Sequence, residues 1–385
     1  VFSNLNNLGQ GANFQFNSGT LRWAPGSTAD LSVKNVILNA TGGTLDTNGN
    51  NIVFANAIGG SGTGALTKTG SGTLTLSGPN TYTGCTTVST GTLQIGDGGI
   101  TGSVLGPITN NATLAWNRSD AATLSQVISG SGSLTKTGAG TLALTGANTF
   151  TGTTTVSAGT LQLGDGGTAG SVTGNIINNA ALAWDRPDNA TLPQIISGSG
   201  SFTKLNVGTL TITGVNTYTG GTVVADGTLV ISGSGRLTGQ VQVETPATLK
   251  FQAGAVAPSG TITNQNFVYF LGSSSAGSAS ITNHQYLLFQ ENASAGAASI
   301  TNNSTLYFRD DASATAAAIT NRQDLYFWDS STAGSASITN TFGTHFTGYT
   351  TAGSASITNE GSLNFTQNSS AGSASILNNR VLVFQ

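Results

Sequence analysis

Charge is scarce in this sequence. Of 385 residues, 12 are Lys or Arg and 15 are Asp or Glu, 7% in all, against about 25% in an ordinary soluble domain. Binding a phosphate backbone needs clustered positive charge. The basic residues are scattered and the net charge is −3, which argues against nucleic acid as a partner. The single cysteine, Cys85, excludes an intramolecular disulfide framework and any Cys-based metal cage. Methionine is absent. No apolar run reaches the roughly 20 residues of a membrane-spanning helix, so no direct membrane span is expected. Val1 opens no signal peptide. The chain reads as a mature product or an excised piece.

What is abundant is glycine, at 54 positions, with Ser, Thr, Ala and Asn. Disorder usually combines high net charge with little apolar content. Here 37% of residues are hydrophobic, and they recur at fixed spacing. Two periods are present. The C-terminal part has a 19-residue period, marked by Ile262, Ile281, Ile300, Ile319, Ile338, Ile357 and Ile376. With it recur Asn264, Asn283, Asn302, Asn321, Asn340, Asn359 and Asn378, and Phe270, Phe289, Phe308, Phe327, Phe346, Phe365 and Phe384. The middle part has a 68-residue period. Lys68, Lys136 and Lys204 each open a similar segment, KTGSGTLTLSGPNTYTG, KTGAGTLALTGANTFTG and KLNVGTLTITGVNTYTG. Each is followed by a G-T-L signature: TTVSTGTLQIGDGG, TTVSAGTLQLGDGG and TVVADGTLVISGSG.

A 19-residue unit holds too little apolar surface to fold alone, and it alternates as strands do. Ala279 and Ile281 face one way, and Ser278, Ser280 and Thr282 the other. Constant repeat length with equivalent residues is what stacked coils require. The expectation is an all-β fold, a right-handed parallel β-helix of roughly 18 coils and about 85 Å at the usual strand spacing. Ile stacks on Ile and Phe on Phe inside; the Asn column forms an amide ladder or serves only the turn. The 68-residue unit is expected to be three coils of roughly 22–23 residues. One continuous solenoid would comprise divergent coils over 1–41, the long repeats over 42–255 and the short ones over 256–385.

The segments GSGTLTLSGPNTYTGCTTVSTGTLQIGDGG, GAGTLALTGANTFTGTTTVSAGTLQLGDGG and VGTLTITGVNTYTGGTVVADGTLVISGSG resemble the passenger-associated transport repeat of bacterial autotransporters. The resemblance covers roughly residues 15–235. It implies a passenger exported across the outer membrane of a Gram-negative bacterium. Family proteins carry a C-terminal translocating β-barrel. This chain stops short of one, at Gln385, so it is expected to be a fragment or to stack on something else by its open ends.

Little in the sequence signals catalysis. His284 and His345 occupy different repeat positions and have no metal-ligand spacing. Asp97 and Asp165 sit in GDGG segments, where turn chemistry competes with calcium binding. Asp310, Asp311 and Asp329, with Arg309 and Arg322, are the nearest approach to a polysaccharide-cleaving carboxylate cluster. The GSGTG and GSGS stretches lack the Lys-Ser/Thr of a phosphate loop. Trp116 and Trp184 read as packing. No catalytic, metal or cofactor residue is assigned, and no cofactor is expected. A better candidate is an outward column carrying Tyr269, Tyr307, Tyr326 and, two places further along, Trp328; such a strip binds a ligand such as a glycan, or packs between coils.

The leading expectation is a non-enzymatic, extracellular structural or adhesive rod at the cell surface, anchored to the outer membrane through a barrel outside this chain. Its partners would be a host or cell-surface ligand, glycans among them, or further copies of itself. The alternatives are a filament subunit that stacks end to end, and a β-helix that binds or cleaves polysaccharide.

Overall fold

The computed structural model describes residues 1–59 and 63–385. The chain is an all-β parallel β-solenoid of about 19 turns. Its helical content, among the described residues, is two 3-10 turns, Leu5–Leu8 and Leu31–Val33. Two compact units are distinguished, Val1–Arg186 and Pro187–Gln385.

In the first unit one parallel sheet contains Thr20–Arg22, Gly43–Asp46, Leu66–Thr69, Thr86–Val88, Ile108–Asn110 and Ile128–Ser129. A second runs through Thr73–Leu76, Thr92–Ile95, Thr113–Trp116, Ser133–Lys136 and Thr154–Val156, and a third through Ala122–Leu124, Thr141–Leu144, Thr160–Leu163 and Ala181–Asp185. The strands are short because a turn intervenes after a few positions. Their inward side chains, such as Leu74, Leu93, Leu114 and Leu134, are fully buried.

The ladders correct the expectation of three equal coils per long repeat. Lys68 pairs with Val88, and Val88 with Asn110. The next strand of that sheet places Ser129 opposite Thr109. Three such steps from Lys68 therefore stop short of Lys136. That lysine lies one strand further on, in Ser133–Lys136, which pairs in the neighbouring sheet with Thr113–Trp116. A long repeat is thus three coils plus one side of a coil. Equivalent residues of the first two repeats consequently sit on different sheets.

In the second unit, by contrast, the 19-residue period is one coil. Thr261–Asn264 pairs with Ser280–Asn283, and that strand with Ser299–Asn302, Ile on Ile and Asn on Asn. A second sheet stacks Phe267–Phe270, Tyr286–Phe289, Thr305–Phe308 and Asp324–Phe327 in the same register. Isolated bridges linking Ser275, Ser294, Ser313 and Thr332 in turn mark a third side. The A-G-S-A segments, with their variants A-G-A-A and A-T-A-A, bring Ala276, Ala295, Ala314 and Ala333 inside, wholly buried, with Ala279, Ala298, Ala317 and Ala336. A larger side chain would overfill so tight a bend. Another corner holds Ala253, Gly272, Glu291, Asp310, Asp329, Gly348 and Gln367, all at φ between 52° and 90°.

Candidate interaction surface

The Lys, Asn and aromatic residues of the long-repeat motifs face inward, while the threonines between them are exposed. In N-T-Y/F-T-G, Asn80 accepts from Ile58 N at 2.7 Å and donates to Ser103 O at 2.8 Å. It therefore joins the coil before to the coil after. Asn148 accepts from Ile128 N and donates to Ser171 O; Asn216 accepts from Ile196 N and donates to Arg236 O. The Tyr82 hydroxyl meets Thr86 Oγ1 at 2.9 Å and that of Tyr218 meets Thr222 Oγ1 at 2.5 Å. Burial pushes both phenols well above their ordinary range. Lys68, Lys136 and Lys204 are fully buried too. These residues build coils and offer nothing to a partner.

Outward chemistry collects in the second unit. The column Lys250, Tyr269, Leu288, Tyr307, Tyr326, His345, Asn364 is in strict register. Tyr269, Tyr307, Tyr326 and Trp328 are half-buried. The Tyr307 and Tyr326 rings lie 4.8 Å apart and 14° from parallel, and Tyr326 and His345 are 4.9 Å apart at 19°. Tyr326 thus has a ring on either face. Trp328 stands edge-on to Tyr307 at 5.2 Å, with the Arg309 guanidinium 5.1 Å over its ring. At the other end the Lys250 ammonium is 5.6 Å from the Tyr269 centroid.

Two residues that the sequence reading passed over complete the strip. Leu288 interrupts the tyrosine column and is itself covered, at 6% exposure. Tyr286 bridges the interruption, 5.8 Å from Tyr269 and 5.4 Å from Tyr307. Phe267 packs on both Tyr269 and Tyr286. Both lie two places before the tyrosine column and so share its outward face; that alternation was the available signal. The stacked rings offer mainly edges and phenol oxygens outward. Burial raises the pKa of Tyr269, Tyr286 and Tyr326, with Asp324 adding to the effect at Tyr326. His345 is shifted down by burial, against the pull of Asp324, whose carboxylate is 3.7 Å from Nε2.

The inward columns are equally regular. Each Asn Nδ2 donates to the next Asn Oδ1 at 2.7–3.0 Å, from Asn264 through Asn283, Asn302, Asn321, Asn340 and Asn359 to Asn378. Phe270, Phe289, Phe308, Phe327, Phe346, Phe365 and Phe384 stack at 4.5–5.0 Å with planes within 9°. Phe384 and Asn378 are exposed.

The acidic candidates take turn roles. Glu291 N donates to Asp310 Oδ2 and Asp310 N to Asp329 Oδ2, both at 3.3 Å, while Asp329 also lies 3.7 Å from Arg309 Nε. Each carboxylate thereby serves the left-handed corner one coil before it. Asp311 is exposed, Arg322 reaches Asn303 at 3.4 Å, and His284 is exposed. Asp97 accepts from Gly99 N within its own turn, and Asp165 is exposed. Among the described residues no group of three His, Cys, Asp or Glu is placed to hold a metal ion. Trp116 and Trp184 are buried, with Arg118 and Arg186 over their rings. Of the GSGTG stretch, residues 60–62 lie outside the described residues.

A parallel β-solenoid whose repeat signature turns its Lys, Asn and aromatic residues inward defines the class. Comparison with known proteins then specifies it. The passenger-associated-transport-repeat model matches residues 66–95, 134–163 and 202–231. An adhesin, BmaC autotransporter of Brucella suis biovar 1 (strain 1330), is 40% identical over 165 residues, which is 37% of this chain and 5% of that protein. The chain therefore spans a small part of the length of that relative. No solved structure matches it. The chain carries three passenger-associated transport repeats and over part of its length resembles an autotransporter adhesin.

Proposed function

We propose that this chain is an extracellular, non-enzymatic adhesive segment of an autotransporter passenger, wound right-handedly and held at the surface of a Gram-negative cell through an outer-membrane barrel outside this sequence. The observation that carries the reading is the threefold repeat match together with the relative named as an adhesin. The long repeats supply scaffold, since their Lys, Asn and aromatic motif residues point inward. The Phe267–Trp328 strip supplies the contact surface, and its partner is a ligand on a host or neighbouring cell, with glycans the first class to test. Among the described residues, the phenol hydroxyls of Tyr269, Tyr286, Tyr307 and Tyr326 make no hydrogen bond within the chain and are available to such a ligand.

The test is binding of the purified chain to cultured cells and to a glycan array, beside a Tyr307→Ser, Tyr326→Ser, Trp328→Ser variant whose β signal in circular dichroism is unchanged. The expected result is at least a tenfold loss in the variant. Equal binding by both removes the strip from the reading, and no binding by the native chain removes adhesion. Turnover of any polysaccharide in the array would remove the non-enzymatic assignment.

A further inference from the structure

Lys68, Lys136 and Lys204 are wholly buried, although Lys is almost never found so without a partner. Lys68 Nζ donates to Thr69 O at 2.9 Å, Gly70 O at 2.6 Å, Thr90 O at 3.1 Å and Thr47 Oγ1 at 3.1 Å. Lys136 donates to Gly138 O and, at 3.1 Å, to Ala158 O. Lys204 donates to Leu205 O at 2.7 Å, Asn206 O at 2.5 Å and Asp226 O at 3.2 Å. Each ammonium donates to at least one carbonyl of its own turn and to one carbonyl of the following coil. That carbonyl always precedes a glycine, Gly91, Gly159 or Gly227, at φ of 64–70°. A Cβ on Gly91 would lie 2.3 Å from Gly70 O and 2.7 Å from Lys68 Nζ. The positive φ is what turns the carbonyl toward the lysine.

Lysine is not needed to fill the space. The same inward position is Val88 and then Asn110 after Lys68, and Val156 and then Asn178 after Lys136. Asn110 makes its own forward contact, Nδ2 to Ser133 O at 2.8 Å. In one sheet the corner runs Leu45, Lys68, Val88, Asn110 and in the next Trp116, Lys136, Val156, Asn178, so each of these lysines is followed by Val and then Asn. The lysine is satisfied by a coil carrying a glycine turn. The Asn coil has Ala112 or Ala180 two places beyond its Asn and lacks that turn.

We propose that the buried lysine of each long repeat is a register lock, selecting the coil that must stack next in a chain whose repeats are near copies of one another. A buried charge gives up hydration, and an apolar replacement of similar volume is often no less stable. What the charge adds is discrimination, because only the correct neighbour supplies its acceptor. A slip of one coil needs only a looped-out segment, and loop closure penalises that weakly.

The experiment reads register by disulfide trapping in full-length chains with Cys85→Ser. Thr135 lies opposite Thr155, and Thr155 opposite Ile177. Adjacent strands are about 4.8 Å apart, within disulfide reach, whereas strands two apart are not. Chains with Thr135→Cys and either Thr155→Cys or Ile177→Cys are refolded from urea and oxidised. With Lys136 present, the 135–155 link forms and the 135–177 link does not. In Lys136→Val the 135–177 link is expected in at least a tenth of the chains. A Lys136→Val chain that links only 135–155, as the parent does, overturns the proposal. So does loss of the β signal in both Lys136→Val and the longer Lys136→Met, because the lysine would then carry stability and not register.

Discussion

In the 19-residue array successive coils bury the same Ile, Asn and Phe at the same places; in the 68-residue repeats successive coils bury different side chains at the same corner. The array places Asn on Asn and Phe on Phe, so each coil is an acceptable neighbour for any other. The first two long repeats follow Lys with Val and then Asn, so each coil suits one neighbour. The first scheme gains from like-with-like ladders. The second gives up that uniformity, and its inward polar groups reach backbone carbonyls instead. The difference follows from period: the short repeat closes one turn, whereas the long repeat closes three turns and one side.

Breaking the array's ladder should have the largest effect. Phe308 is fully buried between Phe289 and Phe327, at 4.8 and 4.9 Å. Phe308→Ala should cost about 3–5 kcal/mol, read from urea unfolding; a cost under about 1 kcal/mol would mean the column collapses around the gap. Gly91→Ala comes next, about 2–4 kcal/mol from positive φ and backbone collision. Its counterpart in the array, Gly272→Ala, should cost only about 1 kcal/mol, because Ala253 and Glu291 already hold φ of 52° and 61° at the same corner and an added Cβ meets nothing nearer than 3.5 Å. Equal costs at the two glycines would erase the distinction between a caged and an open turn. Asn302→Leu removes donors to Asn321 Oδ1, Ser304 O and Asp324 O and should cost roughly 1–3 kcal/mol.

The smallest effect is in pH. Burial lowers the Lys68 ammonium from 10.5 to about 8, against the opposing pull of Asp46, and burial lowers Lys136 as well. Below about pH 8 folded and unfolded chains both hold the Lys68 proton. Between about 8 and 10.5 the folded chain releases a proton that the unfolded chain keeps, so stability rises with pH. Tyr82 and Tyr218 act oppositely above about pH 10, where the unfolded chain loses protons that the folded one retains. The urea midpoint should therefore rise from about pH 8 and turn down above about 10. Lys68→Val should flatten the rise; an unchanged slope would place its source elsewhere.

The array was legible because its period equals its coil, so residues one period apart had to be stacked. Ile262 over Ile281 and Phe270 over Phe289 followed from spacing and alternation alone. The long repeats were legible as repeats but not as geometry. Lys68 and Lys136 are equivalent in sequence yet lie on different sheets, and nothing in a 68-residue spacing distinguishes three turns from three turns and a side. The burial of the lysines left no mark in the sequence, since Lys is almost never fully buried unless paired, and the partners here are backbone carbonyls. The surface strip was half visible. Tyr269, Tyr307 and Tyr326 stood out by recurrence. Tyr286 and Phe267 did not, because the other residues at their repeat position, Thr305, Asp324, Gly343 and Ser362, share no chemistry.

The Asn ladder has a mechanical consequence. In parallel coils the strand hydrogen bonds and the Nδ2–Oδ1 contacts run from one coil to the next, along the direction in which the array would be pulled by its ends. Such load falls on one coil boundary at a time and peels it, instead of shearing the whole sheet at once. Each release frees one 19-residue coil, a length of about 65 Å when extended. An adhesive segment of this kind would yield under tension in equal increments, lengthening like an unwinding spring while the remaining coils keep their grip.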